Sequence, residues 1–187
     1  MAETVSYEGI KSDSDLIAWS RGYCQRVRSE YGVSVRFDLV DWEVSHRAKR
    51  RAAAVKRPKL DDAVVGERYD WSSIDGSDGR PLRCTVSLTR DAFSTFDRDT
   101  WEMTLRHELI HVEQYQRDGT TDHGRAFRER ADRLAADVHC PVFTDPKYVL
   151  SCGACGGLVA RRYQDCKLVE QRQQYRSDCC GASLKLG

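Results

Sequence analysis

The run His107-Glu108-Leu109-Ile110-His111 constrains this chain more than any other feature. It lies inside a segment in which Trp101, Leu105, Leu109 and Val112 recur with a helical period, so the spacing predicts one amphipathic helix from Asp99 to about Asp118. Asp99-Thr100-Trp101-Glu102 reads as its cap, with Glu102 at the third helical position, and Asp118-Gly119 as its stop. At about 100° per residue, His107 and His111 project only about 40° apart, one turn from each other. Two imidazoles so placed can hold one Zn2+ from the same side, with Glu108 beside them. A carboxylate in that position can take the proton from metal-acidified water as the water attacks a carbonyl carbon. With 5 His and roughly ten Glu in the chain, chance produces such a match in only about 0.7% of chains of this composition. The plainer alternative is a solvated helix face, which fits poorly with the apolar Leu109 and Ile110 lying between the two imidazoles.

A catalytic zinc site ordinarily has three protein ligands and one open position. His123, Glu129 and His139 follow in the sequence. His123-Gly124 comes right after the turn at Gly119, where an antiparallel return brings it back to the first pair, and Gly124 lets the backbone pass close to a metal. His123 is the favoured third ligand, and Glu129, on the next helix, is the runner-up. His139, beside Cys140-Pro141 beyond the end of that helix, and His46, in a basic segment, are set aside. Tyr115, one turn past His111, is the candidate for a donor to the transition state.

Of the 8 cysteines, Cys152, Cys155, Cys166, Cys179 and Cys180 lie near the C-terminal end of the chain. The opening MAETVSYEG lacks the basic-then-apolar layout of a secretory signal, so reduced thiols and a cytoplasmic location are expected, with nucleoid association left open. Clustered thiols in such a chain read as metal ligands, and Cys24, Cys84 and Cys140 as small buried groups. Cys152-Gly-Ala-Cys155-Gly156 has the form of a zinc knuckle. Its partner departs from the pattern: Ser177 stands where a first cysteine belongs, in Ser177-Asp178-Cys179-Cys180-Gly181. Cys152, Cys155, Cys179 and Cys180 are the expected ligand set, with Cys166 competing for the fourth place and a disulfide or inert thiols as the structural alternative.

Elsewhere the pattern predicts a first helix over 12–31, capped by Ser12, Asp13 or Ser14 and stopped by Gly32. It predicts strands over 33–42, within 43–55 and over 82–89, a long loop over 60–81, and a helix over about 123–138. The expected class is α+β: a zincin-type helical metal site packed on a small antiparallel sheet, with a zinc ribbon appended. The domains would be 1–146 and 147–187, divided by the linker that Pro141 and Pro146 mark. No apolar run is long enough to span a membrane. Net charge is +1, but residues 44–59 contain seven basic residues and no acid. That density suits a phosphate backbone, and an ordinary solvated edge or loop is the competing explanation.

The stretch HELIHVEQYQRDGTTDHGRAF, followed by a helix and a cysteine-rich tail, resembles the SprT-like family, whose eukaryotic relatives are the Spartan proteases. The resemblance runs over nearly the whole chain. It implies His107, His111 and His123 as zinc ligands and Glu108 as general base, with one catalytic and one structural Zn2+. It also implies protein substrates, DNA-associated ones in the best understood members, and the charge of 46–59 and of the ribbon would bring such a protease to DNA. The alternatives are a non-proteolytic nucleic-acid-binding or transcription-associated protein with purely structural zinc, and a hydrolase of small peptides. An open coordination position separates the first reading from the second.

Overall fold

The computed structural model describes residues 6–71, 81–139 and 141–187. The chain divides into two compact units at Phe143/Thr144. Cys140 and the turn signals within 72–80 lie outside the described residues.

The first helix, α1 (Asp13–Tyr31), starts in a reciprocal cap: Ser12 Oγ accepts from the Asp15 N–H, and the Asp15 carboxylate accepts from the Ser12 N–H at 2.8 Å. It stops at Gly32, whose φ of 60° favours glycine. Leu16, Trp19, Tyr23, Cys24 and Val27 form its buried stripe.

The strand expected over 33–42 is displaced. Val33, Val35 and Phe37 are buried, as the alternation requires, but no strand among the described residues pairs with them. Their backbone bonds to a helix instead. Ser34 N–H donates to Glu113 Oε1 at 2.8 Å, and Arg36 N–H donates to Gln116 Oε1 at 2.8 Å. Gln116 Nε2 returns a bond to the Arg36 carbonyl at 3.0 Å. A 3-10 turn at Phe37–Leu39 then leads into β1 (Val40–Ser45), and β2 (Ala53–Lys56) and β3 (Cys84–Thr89) follow.

The sheet is mixed rather than antiparallel. Its order is β1-β3-β2, with β3 parallel to β1 and antiparallel to β2. After β1 the chain crosses to the far edge, and β3 then enters between the two earlier strands. β3 is therefore central and nearly all buried, while β2 lies at an edge with no further strand beside it among the described residues.

After the short α2 (Arg90–Thr95) comes the long helix α3 (Arg98–Asp118). It begins two residues earlier than the expected cap: Asp97 Oδ1 accepts from the Thr100 N–H at 2.8 Å, leaving Asp99 in the first turn, where its charge suits the helix dipole. Trp101, Leu105, Leu109 and Val112 are buried against α1 and the sheet. Gly119 closes the helix at φ 73°, where a side chain would also meet the Tyr69 ring. The return helix α4 (Arg125–Leu134) is shorter than predicted and buries Phe127, Ala131 and Leu134.

The second unit holds β4 (Tyr148–Cys152), β5 (Leu158–Arg162), a short α5 (Lys167–Glu170) and β6 (Leu184–Leu186). Its sheet is antiparallel in the order β5-β4-β6. Its buried apolar centre is formed by Leu150, Val169 and Leu184.

Candidate metal centre

His107 and His111 stand one turn apart on α3, and His123 returns to them from the loop before α4. Their Nε2 atoms form a triangle with sides of 3.1, 3.0 and 3.2 Å. The opposite ring nitrogens explain what those atoms carry. His107 Nδ1 donates to the Asp137 carbonyl at 2.7 Å, and His111 Nδ1 donates to Gln114 Oε1 at 3.3 Å. A neutral imidazole that donates from Nδ1 presents a bare lone pair at Nε2. Two such lone pairs facing at 3.1 Å repel unless a cation stands between them. In a tetrahedral site with Zn–N of about 2.0–2.1 Å, neighbouring nitrogens stand about 3.4 Å apart, so the donor set and its spacing both fit.

Burial keeps these rings neutral. It pushes His111 down to about 3, reinforced by His107 and His123, and it lowers His107 and His123 as well. Gln114 is held in turn, donating from Nε2 to Asp122 Oδ1 at 3.1 Å. The Asp122–Gln114–His111 chain thus sets the orientation of one imidazole from outside the ligand shell. Gly124 protects that chain: a methyl there would overlap the Asp122 carboxylate, whose Cγ would lie only 3.1 Å away.

Glu108 is 4% exposed and lines the same cavity as the three histidines. Burial pushes its carboxyl up to about 8, against the opposing pull of the Val55 N–H on β2 and the charge of Arg51. The cavity has a volume of about 440 Å³, with Arg51, Ala54 and Val55 from around β2 among its lining.

The other candidates fall elsewhere. Glu129 pairs with Arg125 at 2.7 Å, and His46 pairs with Asp13 at 2.7 Å. Tyr115 is 1% exposed, with its hydroxyl buried and unpartnered among the described residues, and it does not line the cavity. His139, set aside on sequence grounds, does line it. No spacing rule points to His139, because a bend after α4 brings it there.

In the second unit Cys152, Cys155, Cys179 and Cys180 converge, their sulfurs all within 4.8 Å of one another. Two similar turns deliver them. Gly156 N–H donates to the Cys152 carbonyl at 3.0 Å, and Gly181 N–H donates to the Ser177 carbonyl at 2.8 Å. Each turn ends on a glycine in the left-handed region, at φ 72° and 62°. Ser177 therefore occupies the place of a first cysteine, and its hydroxyl donates to Cys152 Sγ at 3.1 Å. Cys179 supplies the fourth sulfur from inside the turn, while Cys166 caps α5 outside the cluster. Backbone N–H groups and Ser177 pull Cys152 down to about 6, whereas neighbouring sulfurs push Cys180 up to about 12. Four thiolates this close require a cation to ionise together.

Three lysines of the basic segment form exposed surface pairs. Lys49 pairs with Asp91, Lys56 with Glu43, and Lys59 with Asp61 at 3.0 Å. No helix among the described residues is long and apolar enough to cross a membrane.

Compared with known proteins, residues 21–145 match the family model described as the SprT-like family. No curated protein matches the chain.

Proposed function

This chain belongs to the SprT-like family, and we propose that it is a zinc metalloendopeptidase that cleaves proteins associated with DNA. One observation carries the proteolytic reading: three imidazole nitrogens converge in a cavity that also presents a buried carboxylate. His107, His111 and His123 would hold the ion. A zinc ion there would act as a Lewis acid, lowering the pKa of water and polarising a carbonyl.

The chain's own residues do the rest. Glu108 takes the proton from the attacking water as the C–O bond forms and then passes it to the departing nitrogen as the C–N bond breaks. A divalent charge near its carboxyl would draw its pKa down and favour the form that accepts a proton. Asp137 and Gln114 hold His107 and His111 in the tautomer that exposes Nε2. The outer edge of β2 beside the cavity, apart from the Val55 N–H held by Glu108, would offer backbone groups to an extended peptide. Cys152, Cys155, Cys179 and Cys180 would hold a second, structural zinc in a ribbon-like unit.

A purely structural role for the histidine metal would call for a fourth ligand and no cavity, so three converging ligands beside an open space favour hydrolysis. The DNA-associated substrate class rests on the family. The basic residues of 46–59, whose lysine pairs with carboxylates are exposed, and Arg161, Arg162, Arg172 and Arg176 of the second unit are the candidate surfaces for phosphates. The test is Glu108→Gln with metal analysis and cleavage of a DNA-bound and a free protein substrate. Two zincs per chain should remain while cleavage falls by about 10²–10⁴-fold. Undiminished cleavage would overturn the role of Glu108, and equal cleavage of both substrates would overturn the substrate class.

A further inference from the structure

Tyr115 cannot reach a substrate, and the geometry points to His139 as the side chain that donates a hydrogen bond to the scissile carbonyl. This inference rests on the proteolytic reading of the site. The segment after α4 is bent back onto the histidine cluster by three features. Ala135 ends the helix at φ 49°, the one non-glycine residue with positive φ among the described residues. Strain of that kind persists only where surrounding contacts enforce it. Here Arg106 enforces it, donating to the Ala135 carbonyl from Nε at 3.2 Å and from Nη2 at 2.9 Å. Two residues on, the Asp137 carbonyl accepts from His107 Nδ1 at 2.7 Å. The backbone is therefore fixed two residues before His139, and the anchoring atom belongs to one of the converging imidazoles.

His139 is exposed and lines the same cavity as Glu108 and the three histidines, with its ring centroid 6.4 Å from that of His123. It stands outside the converging set of ligand atoms. Its ring makes no hydrogen bond or ion pair with the described residues. A neutral imidazole always keeps one N–H. A free donor carried on a fixed backbone beside the reacting groups suits the oxygen that gains negative charge as water attacks the carbonyl.

The experiment uses the full-length, zinc-loaded chain with His139→Ala and His139→Gln. It measures kcat and KM on a peptide substrate, affinity for a phosphinic peptide by calorimetry, and zinc affinity by chelator competition. His139→Ala should lower kcat by about 10²–10³-fold and weaken the phosphinic peptide to a similar degree. KM should stay within about threefold, zinc affinity should be unchanged, and His139→Gln, which keeps a donor, should recover about tenfold of kcat. A kcat within threefold of wild type, a tenfold loss of zinc affinity, or identical Ala and Gln variants would each overturn the inference while leaving the proteolytic reading in place. A wild-type chain that neither cleaves peptides nor binds the phosphinic peptide would overturn both.

Discussion

Phe127 lies against all three converging imidazoles at once, and replacing it with leucine separates the packing of the fold from the orientation of the site. The ring is fully buried, and its centroid is 4.9 Å from that of His107, 4.7 Å from His111 and 4.6 Å from His123. The three rings differ in what else holds them. His107 has a short bond to the Asp137 carbonyl, and His111 has a longer one, 3.3 Å, to Gln114. His123 has no hydrogen bond from Nδ1 among the described residues, so its perpendicular contact with the Phe127 ring is its main support.

Phe127→Leu keeps most of the apolar volume and should cost about 1–1.5 kcal/mol of global stability. It should also free His111 and His123, each regaining about 1 kcal/mol of side-chain entropy that metal binding must remove again. About 2 kcal/mol corresponds to zinc bound roughly 30-fold more weakly. Chelator competition measures that affinity, and urea unfolding of the metal-free protein measures the stability. Leu16→Ala is the control: Leu16 is fully buried on α1, and the change should cost about 2–5 kcal/mol with no effect on zinc affinity. Zinc affinity within threefold of wild type in Phe127→Leu would refute the orienting role. So would an equal loss in Leu16→Ala, which would make weakened binding a consequence of lost stability alone.

Gly124→Ala should weaken zinc binding several-fold at a backbone that tolerates alanine, because the methyl displaces Asp122 and so releases Gln114 and His111. If that route is correct, its effect and that of Gln114→Ala will fail to add in chelator titrations of the double variant. In the metal-free Glu108→Gln chain, which removes the opposing titration of a carboxyl raised to about 8, stability should fall in acid. His111 is pushed down to about 3 when folded, against about 6.5 when unfolded, so below pH 6.5 the unfolded state binds more protons and the contribution disappears as pH falls. At pH 5 this single ring accounts for about 2 kcal/mol, and an unchanged urea midpoint between pH 7.5 and pH 5 would rule it out. Chelation should unfold the second unit, since Leu150, Val169 and Leu184 are too small a core to hold it; strand amide signals of 148–152 and 158–162 that survive metal removal would contradict this.

What the sequence made legible was local, and the rest depended on pairings that composition and period do not encode. His107, Glu108 and His111 lie within about one helical turn, and a return of four residues after Gly119 carries His123 back to them, so helix geometry and one glycine suffice to foresee their meeting. The alternation of Val33, Val35 and Phe37 foretold burial but not the partner, because Glu113 and Gln116 on α3 satisfy that backbone where a strand would have. Whether β3 would enter between β1 and β2 depends on which edge the chain crosses to, and the strand patterns are the same either way. The second knuckle was readable despite Ser177, since the turn ending in glycine survives the loss of the thiol and Cys179 follows inside it. His139 was the least readable of all. Its place depends on a strained Ala135, on Arg106 immediately before the first converging histidine, and on a carbonyl thirty residues from the imidazole it holds. The same Asp137 carbonyl that fixes the tautomer of His107 also fixes the approach of His139, so one backbone atom ties metal binding to substrate contact. Losing it should therefore disturb both functions together, even though neither residue changes.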